Sequence, residues 1–158
     1  MTTPFLAQDL RRDEGLRLQA YPDPLSGGDP WTIGYGHTGP EVRHGLSWTP
    51  AQAETALIAD LAAACELLDR RAPWWRALDD ARQDVLANLV FNMGWLNPAG
   101  THGLGTFQHA LAAIRSGRWQ EAHDALLDSA WAHQVGARAR RLADQLLGGV
   151  RAPEEAAA

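Results

Sequence analysis

The sequence predicts a mainly helical α+β fold, in which a small N-terminal lobe with a β-hairpin or short sheet precedes a long connecting helix and an all-helical C-terminal lobe. Three observations carry this prediction. Apolar residues alternate near the N-terminus on both sides of a segment rich in Gly and Pro. An uninterrupted helical pattern runs from residue 49 to about residue 71. The remaining chain has helical periodicity that is interrupted only by short loops.

The first predicted element is a helix that begins at Thr3-Pro4 and ends before Gly15. Thr is a preferred N-cap, Pro is favoured at the first helical position, and Gly commonly follows a helix end. The segment 16–37 is predicted to form a β-hairpin, because "LRLQAY" and "WTIGYGH" both alternate and "PDPLSGGDP" between them consists of turn-forming residues. The pattern leaves room for a short third strand before Leu46.

The long helix is predicted to begin at a capping box, Thr49-Pro50-Ala51-Gln52, and to end near Arg71. At roughly twenty residues it would span ~30 Å, enough to link two lobes. Further helices are predicted in "DDARQDVLANLVFNMG", "FQHALAAIRSG" with Thr106 as its cap, "RWQEAHDALLDSAW" and "GARARRLADQLLGG".

These elements predict a single domain over residues 1–150. Its two lobes would comprise about 14–60 and 72–150 together with 1–13. Residues 151–158 are expected to form a disordered tail.

Composition excludes several classes of protein. The net charge is −5 and no basic run is long enough to indicate a nucleic-acid partner. The six His are scattered without paired ligand spacing, so we predict no metal and no cofactor. Cys65 is the only cysteine, which rules out an intramolecular disulfide. No apolar run reaches transmembrane length and the N-terminus lacks a signal-peptide core, so we expect no membrane insertion and synthesis in the cytoplasm.

Three polar residues near the hairpin form a candidate catalytic set. Glu14 ends the first helix on the face of Leu6 and Leu10, where burial and the negative end of the helix dipole both favour the protonated carboxyl that a general acid needs. Asp23 lies in the turn, and Thr32 follows the turn. Because a hairpin folds residue 23 back toward residue 32, the three could border one cleft and hydrolyse a bond. Each also has a simpler interpretation: an exposed helix-end Glu, an Asp bonded within its own turn, and a strand Thr.

The stretch "GYGHTG" fits the pattern G-x-G-x-x-G of dinucleotide-binding proteins. That pattern must open a helix, whereas Pro40 and "EVRHGLSW" follow here without helical periodicity. We interpret the glycines differently. Gly34 and Gly36 share the Thr32 face of the predicted strand. Because they have no side chains, we expect this face to be an open surface on which a polymer can bind.

These segments are part of a wider resemblance. "DEGLRLQAYPD" followed by "WTIGYGHTG" resembles the phage-type lysozymes, the endolysins of glycoside hydrolase family 24. The resemblance continues in order through "LSWTPAQAETALIADL", "NLVFNMG", "GRWQEAHDAL" and "WAHQVGARARR". It implies a lysozyme-like fold, in agreement with the architecture predicted above. The segments 24–30 and 95–105 are longer than their family counterparts and so alter the surroundings of the cleft.

The resemblance implies roles for the candidate catalytic residues. Glu14 would be the general acid that protonates the glycosidic oxygen. Asp23 would stabilise the oxocarbenium-like transition state and help to orient the attacking water, which Thr32 would hold. This arrangement implies hydrolysis with inversion.

The resemblance also implies supporting residues. His37 and Asp60 would form an ion pair between the end of the hairpin and the long helix, although composition alone is equally compatible with two exposed side chains. Arg138 would approach the catalytic acid from the C-terminal helix. Phe91 and Asn92 match positions that line the family's substrate cleft, although Phe91 alone is more typical of a core residue.

The implied activity is that of a bacteriolytic muramidase acting on the β-1,4 bond between N-acetylmuramic acid and N-acetylglucosamine of peptidoglycan. A lytic transglycosylase or a non-catalytic wall-binding module on the same fold remains an alternative. We expect a monomer that accumulates in the cytoplasm of an infected bacterium and reaches the wall through a separate membrane pore protein.

Overall fold

The computed structural model describes residues 1–151, and over this range the chain forms seven α-helices and one three-stranded antiparallel sheet. The predicted mainly helical α+β fold is confirmed. The chain divides into an N-terminal unit, Pro4–Glu66, and a C-terminal unit that combines Met1–Thr3 with the chain from Leu67 onward. Apart from Arg151, the predicted disordered tail lies outside the described residues.

The opening helix has the predicted ends. Helix α1 (Pro4–Glu14) stops at Gly15, whose φ of +68° is the left-handed conformation that ends helices, and whose N–H donates to the carbonyl of Arg11 at 3.0 Å. The guanidinium of Arg11 pairs with the Glu54 carboxylate. This pair joins α1 to the long helix within the N-terminal unit.

The sheet consists of β1 (Arg17–Tyr21), β2 (Thr32–Gly34) and β3 (His37–Thr38), and it confirms the predicted hairpin and short third strand. The prediction of one strand running through to His37 is wrong. The chain reverses after β2 because Gly34 and Gly36 adopt φ of +67° and +76°, so that Ile33 pairs with His37. Alternation of side chains does not reveal such a reversal, because glycine fits both an extended strand and a turn.

The long helix begins and ends as predicted. Helix α2 (Pro50–Arg71) opens on a reciprocal capping box. The Gln52 N–H donates to Thr49 Oγ1 at 3.2 Å, and the Thr49 N–H donates to Gln52 Oε1 at 2.8 Å. A 3₁₀ turn, Pro73–Ala77, follows directly.

The C-terminal unit is built around helix α3 (Asp80–Met93), in which residues 83–90 are buried without interruption. A helix buried on every face is a central element and not a surface one. The remaining helices follow: α4 (Gln108–Arg115), α5 (Trp119–Leu127), α6 (Ala130–Val135) and α7 (Ala137–Gly148). None of the helices in the described range combines the length and apolar character needed to cross a bilayer.

The predicted cap of α4 is wrong. Phe107 holds the N-cap position, and the Thr106 hydroxyl instead donates to the carbonyl of Gly103 at 2.7 Å. The physical reason is the 3₁₀ turn at Leu104–Thr106, which ends directly before the helix and engages the threonine locally.

Candidate active site

The carboxyl group of Glu14 lies against Gly36. Glu14 is the last residue of α1 and is half-buried. A methyl group built on Gly36 would lie 2.7 Å from Glu14 Oε2, closer than two such atoms can approach. The absence of a side chain at Gly36 therefore makes room for the carboxyl of the candidate general acid.

The prediction that a ligand lies against the two glycines is wrong, because side chains of the protein fill that space. A methyl group on Gly34 would lie 3.0 Å from the Trp48 ring, and Glu14 occupies the corresponding space at Gly36. The two glycines shape the turn and position protein side chains.

Asp23 organises the enlarged turn. Its Oδ2 accepts a hydrogen bond from the Ser26 N–H at 2.9 Å. Its own N–H donates to the Gly28 carbonyl at 2.9 Å, and its carbonyl accepts from the Gly27 N–H at 2.8 Å. Among the described residues Oδ1 has no hydrogen-bond partner. The carboxylate is thus oriented by its own turn, as the simpler interpretation requires, while one oxygen stays available to a ligand or water.

Thr32 opens β2 opposite Tyr21 of β1 and Thr38 of β3. The side chain is half-buried, and its hydroxyl makes no hydrogen bond within residues 1–151. Because Asp23 follows Tyr21 by two residues, Asp23 and Thr32 lie at the same end of the β1–β2 pair. The N-terminal unit therefore carries all three candidate catalytic residues: Glu14 at the end of α1, Asp23 in the turn after β1 and Thr32 on β2.

His37 bridges two carboxylates. Its Nδ1 lies 2.7 Å from Asp60 Oδ2, and its Nε2 lies 2.7 Å from Glu41 Oε1. Partial burial lowers the pKa of His37, but hydrogen bonds to Glu41 and Asp60 outweigh it, so the pKa is raised above its ordinary value. The hydrogen bond from His37 lowers the pKa of Glu41. Sequence reasoning missed Glu41. A spacing of four residues, as between His37 and Glu41, indicates a side-chain contact only within a helix.

This cluster predicts a pH-dependent contribution to stability. A raised pKa in the folded state stabilises the protein fully below the unfolded value of about 6.5, and the stabilisation is lost as pH rises through the folded value. We expect His37→Gln to lower the free energy of unfolding by about 0.5–1 kcal/mol at pH 6, and by less at pH 9. Urea denaturation at both pH values measures the difference. A loss that grows with pH would contradict the assignment.

The predicted substrate residues lie in the C-terminal unit. Phe91 is half-buried near the end of α3, and Asn92 Oδ1 accepts a hydrogen bond at 2.7 Å from the indole N–H of buried Trp131. Arg138 is buried and donates through Nε and Nη2 to Asn88 Oδ1 at 3.1 and 2.8 Å. Its approach to the catalytic acid stays a prediction.

A pocket of about 590 Å³ in the C-terminal unit includes Asn92 and Trp131 in its lining. Thr101 and His102, from the enlarged loop, also line it. Sequence reasoning missed both, because only the length of the loop set it apart and length does not indicate which side chains face a pocket.

Comparison with known proteins supports the resemblance to the phage-type lysozymes. The sequence profile of the family described as Phage lysozyme matches residues 11–145. The chain is also 31% identical, over 91% of its length, to the pre-baseplate central spike protein Gp5 of Enterobacteria phage T4. It spans only 28% of the length of that relative.

Proposed function

The chain belongs to the phage lysozyme family, and from that premise we propose that it is a glycosidase that hydrolyses the β-1,4 bond between N-acetylmuramic acid and N-acetylglucosamine in bacterial peptidoglycan. The observation that carries the proposal is the position of the Glu14 carboxyl. It lies at the negative end of α1 against Gly36, in the same unit as Asp23 and Thr32.

The proposed reaction proceeds with inversion. Glu14 gives its proton to the glycosidic oxygen as the bond from C1 to that oxygen breaks, and positive charge develops on the sugar ring. The carboxylate of Asp23 stabilises this charge and orients a water held by the Thr32 hydroxyl. The water oxygen attacks C1 from the opposite face and its proton passes to the carboxylate. The available Oδ1 of Asp23 and the available hydroxyl of Thr32 support these roles.

Product analysis separates hydrolysis from transglycosylation. We expect digestion of purified peptidoglycan in ¹⁸O-labelled water to give N-acetylmuramic acid ends that carry one ¹⁸O atom, because the new hydroxyl comes from water. A transglycosylase consumes no water, so mass spectrometry would show anhydro-muramic ends instead. Anhydro ends as the main product would overturn the hydrolytic mechanism, whereas the absence of any cleavage would favour a non-catalytic wall-binding module.

Two biological roles are compatible with this reaction. In the first, the chain is an endolysin that accumulates in the host cytoplasm and lyses the cell after a separate membrane pore protein releases it. The name of the relative favours a second role, in which the same activity belongs to a particle-borne spike and acts on the wall as part of the phage particle. Detection of the chain in purified phage particles distinguishes the second role from the first.

A further inference from the structure

The enlarged loop of the C-terminal unit is organised by Asn97. Its Oδ1 accepts hydrogen bonds from the backbone N–H groups of Thr101 at 2.8 Å and His102 at 2.9 Å. Its backbone N–H also donates to the carbonyl of His102 at 2.9 Å. Because two N–H donors fix the side-chain oxygen, the orientation of the amide is determined and Nδ2 must be a donor on the opposite side.

This amide and the Thr101 hydroxyl both lie beside Nδ1 of His102. Asn97 Nδ2 lies 3.1 Å from Thr101 Oγ1 and 3.5 Å from His102 Nδ1, and Thr101 Oγ1 lies 2.8 Å from the same Nδ1. The hydroxyl accepts from Asn97 and directs its own proton at Nδ1. In the tautomer that lets both neighbouring groups donate to Nδ1, the ring hydrogen sits on Nε2. Nε2–H is then the donor that His102 has left for a ligand.

The pocket lined by Thr101 and His102 contains a second oriented donor. Asn92 lines the same pocket, and its Oδ1 is occupied by the Trp131 N–H, so its Nδ2 is the donor that Asn92 has left for a ligand. The described lining residues include no Asp or Glu, although the chain as a whole has a net charge of −5. Two fixed donors without a neighbouring carboxylate fit a ligand oxygen that only accepts hydrogen bonds.

We propose that His102 is a substrate-binding residue whose Nε2–H donates to an acyl oxygen of peptidoglycan, a carbonyl or carboxylate oxygen, in the pocket shared with Asn92. The inference rests on the proposed function, because that function supplies the substrate. Peptidoglycan carries such oxygens in three places: the N-acetyl groups of its sugars, the lactyl group of its muramic acid, and the carboxyl and amide groups of its peptides. The enlarged loop thereby adds a specificity contact on a different unit from the candidate catalytic residues.

The test measures binding without turnover, in a Glu14→Gln background. Titration calorimetry with a peptide-free glycan oligomer and with the same oligomer carrying its peptides gives two dissociation constants. We expect His102→Leu to weaken binding about three- to tenfold, the effect of one lost neutral hydrogen bond. His102→Gln, whose side-chain N–H can replace Nε2–H, should bind as the parent does. His133→Leu changes an exposed histidine of the same unit outside the pocket lining and is the matched control.

The outcomes separate the alternatives. Weaker binding of the peptide-bearing oligomer alone assigns the oxygen to the peptide, and weaker binding of both assigns it to an N-acetyl or lactyl group of the glycan strand. Equal binding by parent and His102→Leu would overturn the inference, as would equal losses in the Leu and Gln variants with melting temperatures unchanged. If the parent binds neither oligomer, the proposed function itself fails, and lysis assays with unmodified Glu14 report that failure independently.

Discussion

Replacing Glu14 by Gln is expected to lower the rate of wall lysis by about 10²–10⁴-fold or more, because the amide cannot deliver a proton to the glycosidic oxygen. Gln keeps the shape of the side chain and still fits the space beside Gly36, so the fold should be preserved. The measurement is the clearing of turbidity in suspensions of outer-membrane-stripped cells, with parent and variant side by side. Circular dichroism and the melting temperature verify that the variant is folded.

Glu66→Gln is the matched control for this experiment. It makes the same chemical change at an exposed position on α2 within the same unit, and it should lyse cells at the parent rate. Lysis by folded Glu14→Gln at the parent rate would remove the proposed mechanism, because no other carboxyl in the proposal donates the proton. Equal losses in both variants would point to a general effect of removing charge and not to acid catalysis.

The helix ends were predictable from sequence because their signals are local. Pro4 and Gly15 set the bounds of α1, and the reciprocal bonds of Thr49 and Gln52 begin α2, each within a few residues of the chain. The end of β2 was not predictable in this way. Gly34 fits an alternating strand as well as a turn, so its positive φ is decided by what packs around it.

The candidate site likewise combines residues that the sequence predicts with contacts that depend on packing. Residue type, position and resemblance predict Glu14, Asp23 and Thr32 as catalytic residues, and the fold carries all three in one unit. The contact between Glu14 and Gly36 joins residues that are distant in sequence, and it exists only once α1 meets the sheet. The second carboxylate on His37 and the organisation of the 95–105 loop around Asn97 depend equally on packing, which periodicity does not encode.

The contact at Gly36 predicts a substitution that should harm catalysis more than stability. In Gly36→Ala the new methyl group would lie 2.7 Å from Glu14 Oε2, at the flexible end of that side chain. The carboxyl can move away at little cost in folding energy, but it then leaves the position from which, under the proposed mechanism, it donates its proton. Displacements approaching 1 Å can cost about 10²-fold in rate, so we expect a loss of that order in kcat. The φ of +76° adds a destabilisation of about 1–2 kcal/mol.

Gly45→Ala separates these two effects. Gly45 has a φ of +88° in the same unit, and a methyl group there would meet nothing within 4 Å. It therefore carries comparable backbone strain without displacing Glu14, and it should lose about 1–2 kcal/mol of unfolding free energy while kcat stays near that of the parent. Urea denaturation and kcat on soluble glycan oligomers measure both quantities. If kcat falls equally in the two variants, backbone strain explains the loss and Gly36 does not act by making room for the acid; if kcat falls only in Gly36→Ala, the missing side chain of that glycine positions the proton donor.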